Sequence, residues 1–166
     1  VLGFAQKVAS GGIDNALCEY NREDLIGKSS EVVWTELLHE FTNYGASVED
    51  NMAADALSQA MDNLKIEDIA DIGNVSVDIL LKEMLKEYIK ENFDFRYEEK
   101  ISKGKTPAQT SAILNDMHEY IENSIDSDLN LDNLKLVDFS NMGTSQIVED
   151  ALRDALSVFE KYYGED

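Results

Sequence analysis

Apolar residues return every three or four positions in one segment after another of this chain, a period that suits helices and leaves strands little room. Val33, Trp34, Leu37, Leu38 and Phe41 form the first clear row. Met52 or Ala53, Ala56, Leu57, Ala60, Met61 and Leu64 form a second, whose alanines favour close helix approach. A broader stripe follows in Ile79, Leu80, Met84, Leu85, Tyr88, Ile89 and Phe93, with Lys and Glu between them at spacings that support a helix. Two more rows complete the set: Ile113, Leu114, Met117, Tyr120, Ile121 and Ile125, then Val148, Ala151, Leu152, Ala155, Leu156 and Phe159.

The punctuation agrees with the period. Residues 1–8 read as the tail of a helix ended by Gly11-Gly12, and residues 13–26 as a short polar-apolar stretch that turns at Gly27. Ser29 or Ser30 suits an N-cap, and residues 43–45 suit a left-handed C-terminal cap. Ser47-Val48-Glu49-Asp50 is a relative of the capping box. Residues 66–72 make one further turn closed by Gly73-Asn74, and Ser76 opens the longest helix, which runs to Ile101 before the break at Ser102-Lys103-Gly104. Thr106 caps the next helix, with Pro107, the only proline, at the first position, where its missing amide hydrogen costs nothing. Residues 134–139 fit a short strand, a helical turn or a packed loop, and Gly143-Thr144-Ser145 introduces the last helix.

With no strand-helix-strand alternation and no internal repeat, the expected fold is all-α, an irregular bundle of about five or six helices. Residues 1–12 read as the end of an upstream segment, 13–163 as a single helical domain and 164–166 as a tail. A chain of 166 residues buries enough surface to need no disulfide or metal staple.

Charge narrows the function. The 34 acidic residues against 14 Lys and Arg leave a formal net charge of −20. Such a surface repels phosphate backbones and argues against direct nucleic-acid binding. It serves solvation, or it complements a basic partner or a basic part of the same protein. No apolar run approaches the roughly 20 residues of a membrane span. Cys18 is alone, which excludes an intrachain disulfide and points to a reducing cytoplasm, with the thiol itself expected in or near the core. A start at Val1 without a signal pattern reads as a cut or processed edge.

The chemical motifs do not assemble into a catalytic, cofactor or metal site. Gly27-Lys28-Ser29 resembles the end of a phosphate-binding loop, but Arg22 stands where that loop needs its earlier glycine. Asp126, Asp128, Asn130 and Asp132 alternate as calcium ligands do, yet Leu131 and Val137 occupy the positions that require Gly and Glu, so a solvated acidic loop fits better. His39 and His118 are isolated, and Glu36-Leu37-Leu38-His39 lacks the second motif of a di-metal bundle. The acidic surroundings of Cys18 disfavour a thiolate nucleophile.

One segment reads as an interaction surface. Phe93-Asp94-Phe95-Arg96-Tyr97 places three aromatics and an arginine in five residues, too many for one core stripe, and such clusters favour interface centres. Phe93, Phe95, Arg96 and Tyr97 are therefore candidate partner-binding residues, set against core packing of two of them. Tyr162-Tyr163 is a weaker candidate.

The order of elements resembles QatB, the B component of the Qat antiphage defence system. The likeness runs through Gly12-Ile13-Asp14, Leu25-Ile26-Gly27-Lys28-Ser29-Ser30-Glu31, the Trp34 helix, Gly45-Ala46-Ser47-Val48-Glu49-Asp50, the alanine-rich run 53–64, and Glu98-Glu99-Lys100-Ile101 with the helix 113–121. The resemblance implies a basic, Gly/Ser-rich region ahead of the acidic helical portion. It also implies work beside an ATPase, a TatD-like nuclease and QatC, an enzyme similar to 7-cyano-7-deazaguanine synthases (QueC-like), whose partner or substrate this chain would be. No catalytic residue carries over. An acidic immunity protein or antitoxin that neutralises a basic toxin is the competing expectation, and an enzyme using His39 and His118 a third.

Overall fold

The computed structural model describes residues 11–41, 47–68, 71, 77–130 and 145–164. Among them the secondary structure is six α-helices and one 3-10 turn, without a strand: α1 (Ile13–Glu19), the turn Glu23–Leu25, α2 (Ser30–Phe41), α3 (Val48–Asn63), α4 (Val77–Ser102), α5 (Pro107–Asp128) and α6 (Gln146–Tyr163). The protein is an all-α bundle. The expectations for residues 1–8, 43–45, 73–74, 134–139 and 143–144, and for Glu165 and Asp166, fall outside the described residues. No described helix is long and apolar enough to cross a membrane.

Contacts divide the chain into two compact units, Val1–Met84 and Leu85–Asp166, with α4 running through the division. In the first unit Gly12 caps α1 at a φ of 84°, and Ala16 and Leu17 are buried. The spacing Ile13, Ala16, Leu17 gives this short helix its inner face, so residues 13–26 hold more helix than their mixed polarity suggested. Cys18 lies on the other side of α1 and is exposed, not buried as its residue type led us to expect. Ser29 caps α2, its hydroxyl accepting from the Val32 amide at 3.3 Å. α2 packs on α3. Val33 and Leu37 are buried on α2, and Met52, Ala56, Leu57, Ala60 and Met61 on α3. Arg22 ties the turn after α1 to α2, with Nη1 at 2.8 Å from Glu40 and Nε at 3.1 Å from Asp24. The hydrogen bonds its guanidinium donates, first to Asp24 and then to Glu40, raise its already high pKa further.

The second unit is built from the rest of α4 with α5 and α6. Leu85, Tyr88, Ile89 and Phe93 are fully buried. In the first unit's share of α4, Leu80 and Leu81 are inside, while Ile79, placed in the core stripe by its apolarity, is 51% exposed. The period explains this: Leu81, Leu85, Ile89 and Phe93 step by four, and Ile79 falls beside that row. Gly104 takes a φ of 75°, and Thr106 then closes a capping box, accepting from the Gln109 amide while the Gln109 side chain accepts from its own. α5 buries Ile113, Met117, Ile121 and Ile125, each four residues from the last, and packs on α6, which buries Val148, Leu152, Ala155 and Phe159.

Two ion pairs and one imidazole–carboxylate hydrogen bond set the register of α4 against α5. Lys86 meets Asp126 at 2.7 Å, Lys90 meets Glu122 at 3.4 Å, and Asp94 meets His118 at 2.7 Å. Each advance of four residues on α4 is matched by four back on α5, which makes the two helices antiparallel.

Candidate partner-docking surface

Five consecutive helical residues, each rotated about 100° from the last, cannot share a face. The segment 93–97 lies inside α4, and the helix distributes it accordingly. Phe93 is wholly buried, so its ring belongs to the core and cannot form part of an exposed surface. Tyr97 is half-buried and meets Phe93 edge to face, with centroids 5.2 Å apart and ring planes at 62°. Asp94 turns to His118.

Arg96 reaches α6, where its two terminal nitrogens donate to the two carboxylate oxygens of Glu149 at 3.1 and 2.7 Å. This fork-to-fork pair holds the Glu149 carboxyl below its ordinary range and raises the guanidinium in turn. Arg96 is therefore engaged within the fold. Its partner lies 53 residues away, and nothing in local spacing announces it.

Phe95 alone of the four presents its ring outward, at 66% exposure. Helical spacing puts Glu91 four residues before it, and Glu98 and Glu99 three and four residues after. The result is an aromatic side chain in a rim of carboxylates. Chemically, that surface suits an apolar socket edged by basic groups. Tyr162, the weaker candidate, is 69% exposed with the Lys161 ammonium 5.4 Å from its ring centroid. Tyr163 instead stacks on Phe159 at 6.1 Å and donates to Asp116 at 2.7 Å.

The remaining motif residues have structural partners. Gly27, at a φ of 81°, turns the chain toward Ser29, which spends its hydroxyl on the α2 cap. Asp126 and Asp128 lie within α5, not in an acidic loop after it, because the helix continues to Asp128. Asp126 pairs with Lys86 and Asp128 accepts from the Ser124 hydroxyl, while Asp132 falls outside the described residues. Among the described residues no three His, Cys, Asp or Glu side chains gather as a metal-binding set.

Neither the curated proteins nor the solved structures provide a match to this chain. The family model described as "Qat anti-phage system associated protein QatB" matches residues 1–159, well beyond the stretch in which the element order alone suggested a likeness. The chain belongs to the QatB family and is a component of the Qat anti-phage system.

Proposed function

We propose that this QatB-family protein is a non-enzymatic helical partner, serving as scaffold or substrate, for the system's QueC-like enzyme. Family membership over residues 1–159 is the observation that carries the reading. The exposed Phe95 among carboxylates supports it, because a docking protein needs an apolar anchor and this one has it on a rigid helix. The net charge of −20 supplies long-range attraction to a basic surface. The ATPase and the TatD-like nuclease of the same system would then meet this chain through a shared assembly.

Co-expression with the QueC-like enzyme, followed by affinity purification and size-exclusion chromatography, tests the proposal. A stable co-eluting complex is expected, weakened by Phe95→Ala and by rising salt. Separate elution of the two proteins at low and high salt would sink it.

A further inference from the structure

From Lys100 to Asn115 the chain has no Asp or Glu, its longest such stretch, although acids outnumber bases by 34 to 14 overall. The fold gathers the three lysines of that stretch in one place. Lys100 lies in the last turn of α4, and Lys103-Gly104-Lys105 forms the turn into α5. Phe159, Glu160, Tyr163 and Gly164 stand across from them at the end of α6, and together these residues line an open cleft of about 630 Å³. That volume lies within the range of small-molecule sites.

The lining is positive. Among the described residues, Lys100, Lys103 and Lys105 face a single lining carboxylate, Glu160, for a net of +2. Glu160 is taken by Lys100 at 2.6 Å. Lys105 has its ammonium 5.7 Å from the Phe159 ring centroid, and among the described residues neither it nor Lys103 is paired with a carboxylate. Asp116 accepts from the hydroxyl of the lining Tyr163 at 2.7 Å and does not itself line the cleft. α5 starts directly after Lys105 with no acidic residue in its first turn, so the positive end of its dipole is not neutralised there. The negative end of α6 opposes it in part.

We propose that this cleft binds a small ligand carrying adjacent phosphate groups, with Lys103 and Lys105 as its charged contacts. Lysine serves phosphate as a mobile point charge. The charges are concentrated within six residues around one turn, which suits an anion whose own charges lie close together. In an extended acidic peptide successive side chains point to opposite faces, so carboxylates on one face stand roughly 6.6 Å apart and suit this concentration less well.

Isothermal titration of the full chain with tripolyphosphate, ATP and adenosine tests this. Salt near 0.1 M sets a screening length of about 10 Å, which mutes the distant negative surface and leaves the cleft contacts intact. Tripolyphosphate and ATP should bind and adenosine should not. Equal affinities would name free polyphosphate as the source, and tighter ATP a nucleotide. The double variant Lys103→Ala/Lys105→Ala should lose roughly tenfold or more in affinity while melting like the wild type. Glu160→Gln removes the one lining carboxylate and releases Lys100, so it should tighten binding. This gain cannot arise from unfolding. No binding of either phosphate compound at millimolar concentration would overturn the proposal. So would undiminished binding by the double variant, or equal displacement by a short polyglutamate.

Discussion

Asn92 is 1% exposed on α4, and its side-chain nitrogen has no hydrogen-bond partner among the described residues. A buried donor left without an acceptor costs about 1–3 kcal/mol, so Asn92→Leu should stabilise the protein by about 1 kcal/mol in urea unfolding, and Asn92→Asp should destabilise it. Tyr120 makes the opposite use of a polar atom. Its hydroxyl donates to Asp154 at 2.6 Å, and that bond, with some burial and the negative charge of Asp154, pushes the phenol up from 10.0 to about 12. A raised folded-state value means that the contribution is complete below pH 10 and disappears as pH rises through about 12. Phenolate absorbance should therefore show Tyr120 ionising late, alongside a rise at Tyr163 from its bond to Asp116, and Asp154→Asn should return Tyr120 alone toward 10. Glu149 has the reverse sign. Its lowered carboxyl contributes above the ordinary Glu range and loses that contribution as acid protonates it.

The pairing of α4 with α5 shows what charge can do for a helical element. Each ion pair joins a largely buried lysine on α4 to a more exposed carboxylate on α5, and their order selects the register. Sliding α5 by one turn in one direction would set Lys90 against His118, and in the other direction Asp94 against Glu122. Only the observed alignment gives both lysines a carboxylate and Asp94 an imidazole partner. Lys90 itself is pulled down by burial, yet Glu87 and Glu122 together bring it to a net rise. Glu122→Lys should thus lower stability by about 1–2 kcal/mol, and Lys90→Met in the same chain should recover most of it. The apolar side of α5 has larger stakes. Ile121, at 2% exposure, should cost about 2–5 kcal/mol on truncation to Ala, whereas Thr106→Ala at the capping box should cost about 1 kcal/mol. Chemical denaturation midpoints at constant slope check all three.

For the whole molecule, charge sets the manner of association. A net charge of −20 accelerates encounter with a basic surface and is screened by salt, whereas an apolar anchor such as Phe95 acts at short range and is not. If the proposed partnership with the QueC-like enzyme holds, binding should lose association rate as ionic strength rises, and Phe95→Ala should mainly speed dissociation. Surface plasmon resonance across a salt series separates the two. Loss of rate in Phe95→Ala with an unchanged off-rate would refute the anchor role.

Local chemistry was enough to specify most of the secondary structure. The 3.6-residue period, the Ser29 and Thr106 caps, Pro107 behind its cap and the break at Gly104 each act within a few residues, so α2, α3, α4, α5 and α6 were legible where they occur. α1 was less so, since seven residues carry too little period to outweigh their polarity. Which residue of an apolar row faces solvent was only partly local. Ile79 and Phe95 are as apolar as Leu81 and Phe93; the period sets them on different sides of α4, and the neighbouring helices decide which side is buried. The same holds for the candidate surface and the cleft. The bond from Arg96 to Glu149 and the meeting of Lys105 with Phe159 each join residues more than fifty positions apart, which helical spacing cannot register. The sequence alone determined the helices and the acidity, because these depend on neighbours in the chain. The tertiary structure decided which aromatic is left outside and how Lys103 and Lys105 come to face the end of α6, because these depend on neighbours in space.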